Sequence, residues 1–171
     1  MKSFFVLLFL SPSIFAATST IKFVASTNGP GISVEGEAKN TNLKIDFNKL
    51  ENTSVIVDVM DLSTGMEKRD KHLHEKVFNT TTAGVAKIEY TLTKINCPKD
   101  GNEVECDCIG NLKIKDVQNE IKFKAKLNRS NQMVEGKTLV SLNQFKLNSP
   151  SFMGISVEDN VEVEFRASGK N

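Results

Sequence analysis

Ile121-Lys122-Phe123-Lys124-Ala125-Lys126-Leu127 places an apolar residue at every odd position and a lysine at every even one. Successive side chains of an extended chain leave on opposite sides, so this period of two marks a β-strand with one buried and one solvated face. Coiled into a helix, the same residues would scatter lysine around the circumference.

The pattern repeats outward in both directions. Leu43-Lys44-Ile45-Asp46-Phe47, Lys87-Ile88-Glu89-Tyr90-Thr91-Leu92, Leu112-Lys113-Ile114-Lys115 and Val161-Glu162-Val163-Glu164-Phe165-Arg166 all alternate, with noisier versions at Ile32-Ser33-Val34 and over residues 54–59. Asn28-Gly29-Pro30-Gly31, Lys99-Asp100-Gly101-Asn102 and Asn148-Ser149-Pro150 supply turn chemistry between them. The count comes to about eight or nine strands. Their connections are too short for parallel crossovers, which take about a dozen residues, so neighbours are antiparallel. Ile45, Phe47, Val57, Ile88, Tyr90, Leu92, Leu112, Ile114, Ile121, Phe123, Val163 and Phe165 are the expected inward set.

One segment interrupts the alternation. From Thr64 to Phe78, Met66, Leu73 and Val77 fall on one helical stripe with Asp70 at its polar gap, and Thr64 with Glu67 reads as a capping box. A helix of about three turns cannot cover eight strands, so their apolar faces must meet one another in a sandwich or a barrel. The absence of tryptophan and the single tyrosine lean toward the roomier barrel without deciding the matter.

Residues 1–17, MKSFFVLLFLSPSIFAA, run from a lysine through a short apolar core to small residues. They read as a secretory signal cleaved near Ala17 or Thr18, which leaves one domain, residues 18–171, expected to be periplasmic or secreted. No later apolar run is long enough to span a bilayer as a helix, so membrane contact is expected to be transient and peripheral at most. With 22 Lys+Arg against 21 Asp+Glu, interleaved along the chain, nothing points to nucleic acid.

Chemistry-bearing motifs are sparse. The two histidines, His72 and His74, are two apart on the helix and point in different directions, so they do not chelate one ion; no nucleophile elbow, phosphate loop or zinc-protease motif occurs. We therefore expect no catalytic residue, no metal and no cofactor. Cys97, Cys106 and Cys108 lie within one hairpin, where an oxidising compartment favours a disulfide from Cys97 to Cys106 or Cys108 over three thiols or a thiolate metal site. A two-residue Asp100-Gly101 turn would set Cys97 opposite Val104, so the bridge requires a longer loop or a bulge near Ile95.

From Val55 to Phe78 the chain resembles the YceI-like family of bacterial periplasmic proteins, through a strand followed by Thr64, Gly65, Arg69, Asp70, His72, Leu73 and Phe78. Residues 109–121 and 152–165 are similar to two further blocks of that family. The family's N-terminal Asp-x-x-His-Ser start and the aromatic-Pro segment after the helix are missing, and the cysteine hairpin is an addition. The resemblance implies an all-β fold, an antiparallel extended lipocalin-like β-barrel of about eight strands with one short α-helix. It also implies non-catalytic binding of a long-chain lipid or isoprenoid (polyisoprenoid, isoprenoid quinone or fatty-acid derivative) inside it, with part of the inward set lining the tunnel. Arg69, Asp70 and His72 are then either a head-group grip or helix anchors, and the anchor reading is preferred because Asp70 lies on the apolar stripe. The competing readings are an interaction domain with a filled core and an enzyme or metal-dependent protein. Oligomeric state is left open, a homodimer included.

Overall fold

The computed structural model describes residues 17–83, 86–152 and 154–169; the expected signal segment, apart from Ala17, lies outside them. Its strands are β1 (Thr18–Thr27), β2 (Ser33–Ala38), β3 (Asn42–Lys44), β4 (Ser54–Asp58), β5 (Leu62–Ser63), β6 (Lys87–Asn96), β7 (Glu103–Ile114), β8 (Val117–Asn128), β9 (Met133–Ser141), β10 (Ser151–Phe152) and β11 (Ile155–Ser168). Three of these eleven, β3, β5 and β10, have only two or three residues, which leaves eight longer strands against the eight or nine expected; of the alternating stretch over residues 43–47 only Leu43 and Lys44 pair, in β3. Every ladder is antiparallel.

The strands form one curled sheet in the order β3-β4-β6-β7-β8-β9-β11-β1-β2-β5, with β10 on β11. Among the described residues its edge strands, β3 and β5, are not joined by a ladder. Instead the 3₁₀ turn Val59–Asp61 carries the chain from β4, paired with β6, into β5, paired with β2. Val59 is fully buried at this corner and its N–H donates to the Ala86 carbonyl at 2.9 Å. On the opposite side β8 pairs with β9 only over residues 124–128 and then diverges. A 3₁₀ turn, Asn143–Phe145, sits beside the splayed part of β8, where the Asn119 amide donates to the Gln144 carbonyl at 2.9 Å and Phe145 is 2 % exposed.

In β8, exposed and covered residues alternate from Val117 to Leu127, as the opening heptad requires. The outer face carries ion pairs between strands, including Lys124–Glu105 at 2.6 Å, Lys137–Glu162 at 3.2 Å, Lys137–Glu164 and Arg166–Glu135. All are largely solvated, so they keep the wall soluble and reward the correct register more than they stabilise it.

The helix departs from the expectation. α1 (Glu67–His72) is capped by Met66 without a side-chain bond, and the chain continues as one π-turn, Leu73–Val77, in which the Phe78 N–H reaches the Leu73 carbonyl at 3.1 Å. The capping box does not form. Thr64 lies outside the helix, and Met66 is half exposed instead of buried on the stripe. Instead the Thr64 N–H and hydroxyl and the Ser63 hydroxyl all donate to the Asp70 carboxylate, which holds Thr64 off the helix end. A second turn, α2 (Thr80–Ala83), follows.

The interior divides into two clusters. One, at the helix end, gathers Val57, Val59, Val77, Phe78, Leu112, Ile114, Leu142, Phe145 and Leu147. The other packs Leu92, Val104, Cys106, Cys108, Ala125 and Leu127 at the opposite end.

That second end is held by a disulfide between Cys97 and Cys106, with Cα atoms 4.3 Å apart. A β-bulge between Leu92 and Lys94 shifts the register so that Asn96 faces Asp107, which brings Cys97 opposite Cys106 across a loop over residues 97–102. Arg129 clamps that loop, donating to the Pro98 carbonyl at 2.6 Å and the Gly101 carbonyl at 2.5 Å. The thiol left over, Cys108, is buried among the apolar residues of the second cluster. Burial first and the Asp107 charge second push it up to about 11, which makes it inert as a nucleophile.

Candidate functional site

A cavity of about 1090 Å³ occupies the barrel interior. This lies just above the roughly 300–1,000 Å³ typical of small-molecule pockets. Its walls are the inward halves of the alternating strands, so the polarity pattern that makes the sheet also makes the cavity apolar.

Ten of the twelve expected inward residues line it: Ile45, Val57, Ile88, Tyr90, Leu112, Ile114, Ile121, Phe123, Val163 and Phe165. The other two face elsewhere. Phe47 borders a separate depression of about 340 Å³ beside the disulfide, and Leu92 is packed in the cluster at that end. Both sit at the disulfide end, beyond the cavity's aromatic floor, and do not line the cavity.

Walls from β1 and β9 were missing from the expected set. Ile21, Phe23 and Ala25 of β1 line the cavity, as do Val134, Thr138 and Val140 of β9. In β9 the polarity is reversed at one pair, with Thr138 inside and Leu139 63 % exposed outside, which interrupts the alternation and hides the strand from a hydrophobic count.

What keeps the cavity open is a set of aromatic rings laid over glycines. Phe23 faces Gly36 across β1 and β2, Phe165 faces Gly136 across β11 and β9, and Tyr90 lies diagonally over Gly110. A Cβ at Gly136 would fall 2.6 Å from the Phe165 ring, one at Gly110 2.5 Å from the Tyr90 hydroxyl, and one at Gly36 would overlap the Phe23 ring. Any side chain there would push its ring into the lumen. The signal for these glycines was available as an apolar strand pattern interrupted by Gly at inward positions.

Tyr90, Phe123 and Phe165 form the floor, with ring centroids 5.9 Å apart for Tyr90–Phe123 and 5.3 Å for the edge-on Phe123–Phe165 pair. Two hydroxyls near it, Thr53 Oγ1 and Tyr90 OH, are buried without a hydrogen-bond partner among the described residues. Burial, then the proximity of Cys108, pushes the Tyr90 phenol far above its ordinary value, so it is neutral and available as a donor.

At the other end α1 and its π-turn border the cavity through Lys68, Arg69, Lys71, His72, Leu73, Glu75 and Lys76. The three motif residues separate here. Asp70 is the anchor: Oδ1 accepts from the Thr64 N–H at 2.6 Å and the Thr64 hydroxyl at 2.7 Å, and Oδ2 accepts from the Ser63 hydroxyl at 2.8 Å. Arg69 and His72 are exposed rim residues, and Arg69 donates to the Met66 sulphur. The histidine that fastens the helix is His74, whose Nε2 lies 2.9 Å from the Leu62 carbonyl oxygen.

Burial raises the Asp70 pKa, but the hydrogen bonds from Thr64 and Ser63, with a smaller contribution from His74, outweigh it and hold the carboxyl below its ordinary 3.8. A depressed folded value means that the bonds stabilise the protein fully above the ordinary carboxylate range and are lost as pH falls through the folded value. Replacing Asp70 with Asn should therefore lower the melting temperature at pH 7. At pH 3 the gap between variant and wild type should narrow, which thermal melts at the two pH values check; an unchanged gap would mean that Asp70 is not the anchor.

Comparison with known proteins agrees with this architecture. The family described as YceI-like domain matches residues 13–168. The fold is similar to the crystal structure of Burkholderia cenocepacia BcnA, with TM-score 0.65 and 19% identity over 88% of this chain and 95% of that one. It is similar also to a polyisoprenoid binding domain from Saccharophagus degradans implicated in plant cell wall breakdown (TM-score 0.60, 16% identity, 88% and 92% covered). The Campylobacter jejuni YCEI protein gives TM-score 0.55 and 18% identity over 96% and 97% of the two chains. None of the curated proteins matches the chain.

Proposed function

Since this chain belongs to the YceI-like domain family, we propose that it is a non-catalytic carrier that encloses one long apolar ligand, a polyisoprenoid, isoprenoid quinone or fatty-acid derivative, in its barrel. The observation that carries the reading is the cavity of about 1090 Å³, walled by Val, Ile, Leu and Phe and propped open by rings seated on glycines. An interaction domain that needed only a core would fill this space, because interiors pack to crystal-like density and voids cost stability. The Saccharophagus domain of the same fold is a polyisoprenoid binding domain, which supports the ligand class.

Chemically the site suits binding more than reaction. Among the described residues its walls present no nucleophile–base pair, and His74 is engaged with the Leu62 carbonyl in fastening the helix. Saturable uptake of a fluorescent apolar probe, displaced by a long-chain prenol, tests the carrier reading. A probe that finds no saturable interior site would favour the filled interaction domain.

In this reading the protein works outside the cytoplasm. The basic, apolar and small-residue order of residues 1–17 supports export, and the Cys97–Cys106 bridge suits an oxidising compartment. The mass of the protein recovered from a periplasmic extract checks it: an unprocessed N-terminus would contradict it.

A further inference from the structure

We propose that the helix-bearing end of the barrel docks on an anionic lipid bilayer, with Lys68, Arg69, Lys71 and Lys76 as a cationic collar and Ile32 and Met66 as apolar contacts. This rests on the carrier reading above, since a water-insoluble cargo has the bilayer as its reservoir and must pass between the two.

The distribution of charge separates this end from the rest of the molecule. On the barrel wall lysines and glutamates interleave, and Lys122, Lys124, Lys137 and Arg166 each lie within 3.4 Å of a glutamate, while Lys94 and Lys126 make no ion pair among the described residues. On the helix the balance is different. Asp70 is turned inward onto Ser63 and Thr64, and Glu75, the acid on the cavity rim, lies 4.0 Å from Lys71. Glu67 is exposed on the first turn. Lys68 and Lys76 make no ion pair among the described residues.

The same cations are poorly suited to grip a polar group of the cargo within the cavity. The Lys71 side chain is 69 % exposed, and Lys68, Arg69 and Lys76 are also exposed, so they face outward around the opening. Two large apolar side chains lack cover here: Met66, 51 % exposed and in contact with Arg69, and Ile32, 45 % exposed in the lining of the same cavity. Basic residues interleaved with exposed apolar ones are what an interfacial membrane contact uses.

Each basic side chain near an anionic bilayer raises affinity roughly fivefold, so reversing two should lower partitioning by about 25-fold or more. The test is co-sedimentation with phosphatidylcholine vesicles, with and without phosphatidylglycerol, at low and high salt. The wild-type protein should sediment only with the phosphatidylglycerol vesicles, and less at high salt. Lys68→Glu/Lys76→Glu should lose this, while Lys94→Glu/Lys126→Glu, with the same change in net charge on the wall, should keep it. Sedimentation that ignores phosphatidylglycerol, an equal loss in both variants, or no sedimentation at all would overturn the proposal. Uptake of a fluorescent prenol without vesicles is measured alongside. If the helix variant loses that uptake, the cations hold cargo and the docking assignment fails. If the wild type shows no uptake, the carrier reading fails whatever the vesicles do.

Discussion

Replacing Ile121 with tryptophan should raise the dissociation constant for a long apolar ligand by about 100-fold or more while the barrel stays folded. Ile121 sits at the waist of the cavity, directly across the ladder from Gly110, over which the Tyr90 ring is laid. An indole there abuts the Tyr90 ring on the same wall and, projecting into the lumen, blocks the path between the helix end and the aromatic floor. In a filled core such overpacking costs about 1–3 kcal/mol of stability. In an open lumen the added ring has space to occupy, so the loss falls on binding: 100-fold corresponds to about 2.8 kcal/mol. Probe titration and thermal melts on the same samples separate the two. A variant that binds as well as wild type would contradict the lumen as the binding site, and one that is strongly destabilised would indicate a packed interior.

Removing the disulfide should have a comparable effect on stability and little on binding. Cys97 and Cys106 are nine residues apart, and closing a loop of that size is worth roughly 2.5–3 kcal/mol through the entropy of the unfolded chain. For a domain of this size that is about 5–12 °C in melting temperature. The bridge fastens a hairpin end already held by Arg129 and lies in the cluster beyond the aromatic floor, away from the cavity walls. Cys97→Ala/Cys106→Ala should therefore melt earlier yet take up the probe normally at 25 °C. A reduced wild-type protein with an unchanged melting temperature would show that the bridge is absent or idle.

The strands were legible because each one-sided face needs alternation, and β8 states it without interruption from Ile121 to Leu127. Legibility failed where a local rule yielded to a tertiary one. Thr64 and Glu67 spell a capping box, yet Asp70 has three donors within reach and takes Thr64 out of the helix. Thr138 and Leu139 reverse the expected sides, because a cavity wall tolerates a hydroxyl that a packed core would not. The disulfide partner stayed ambiguous in the sequence because it depends on one bulge residue between Leu92 and Lys94, and a bulge leaves no fixed mark in composition. The family resemblance supplied the barrel, but the glycines beneath Phe23, Tyr90 and Phe165 show how this chain keeps its barrel hollow.

The measurement that bears most directly on the carrier reading is mass spectrometry of an organic extract from protein purified out of its native host. The account predicts one long-chain apolar compound in a fixed ratio to protein, absent from the extract of the Ile121→Trp variant prepared in parallel. An empty extract, or the same lipids in both at trace amounts, would contradict it.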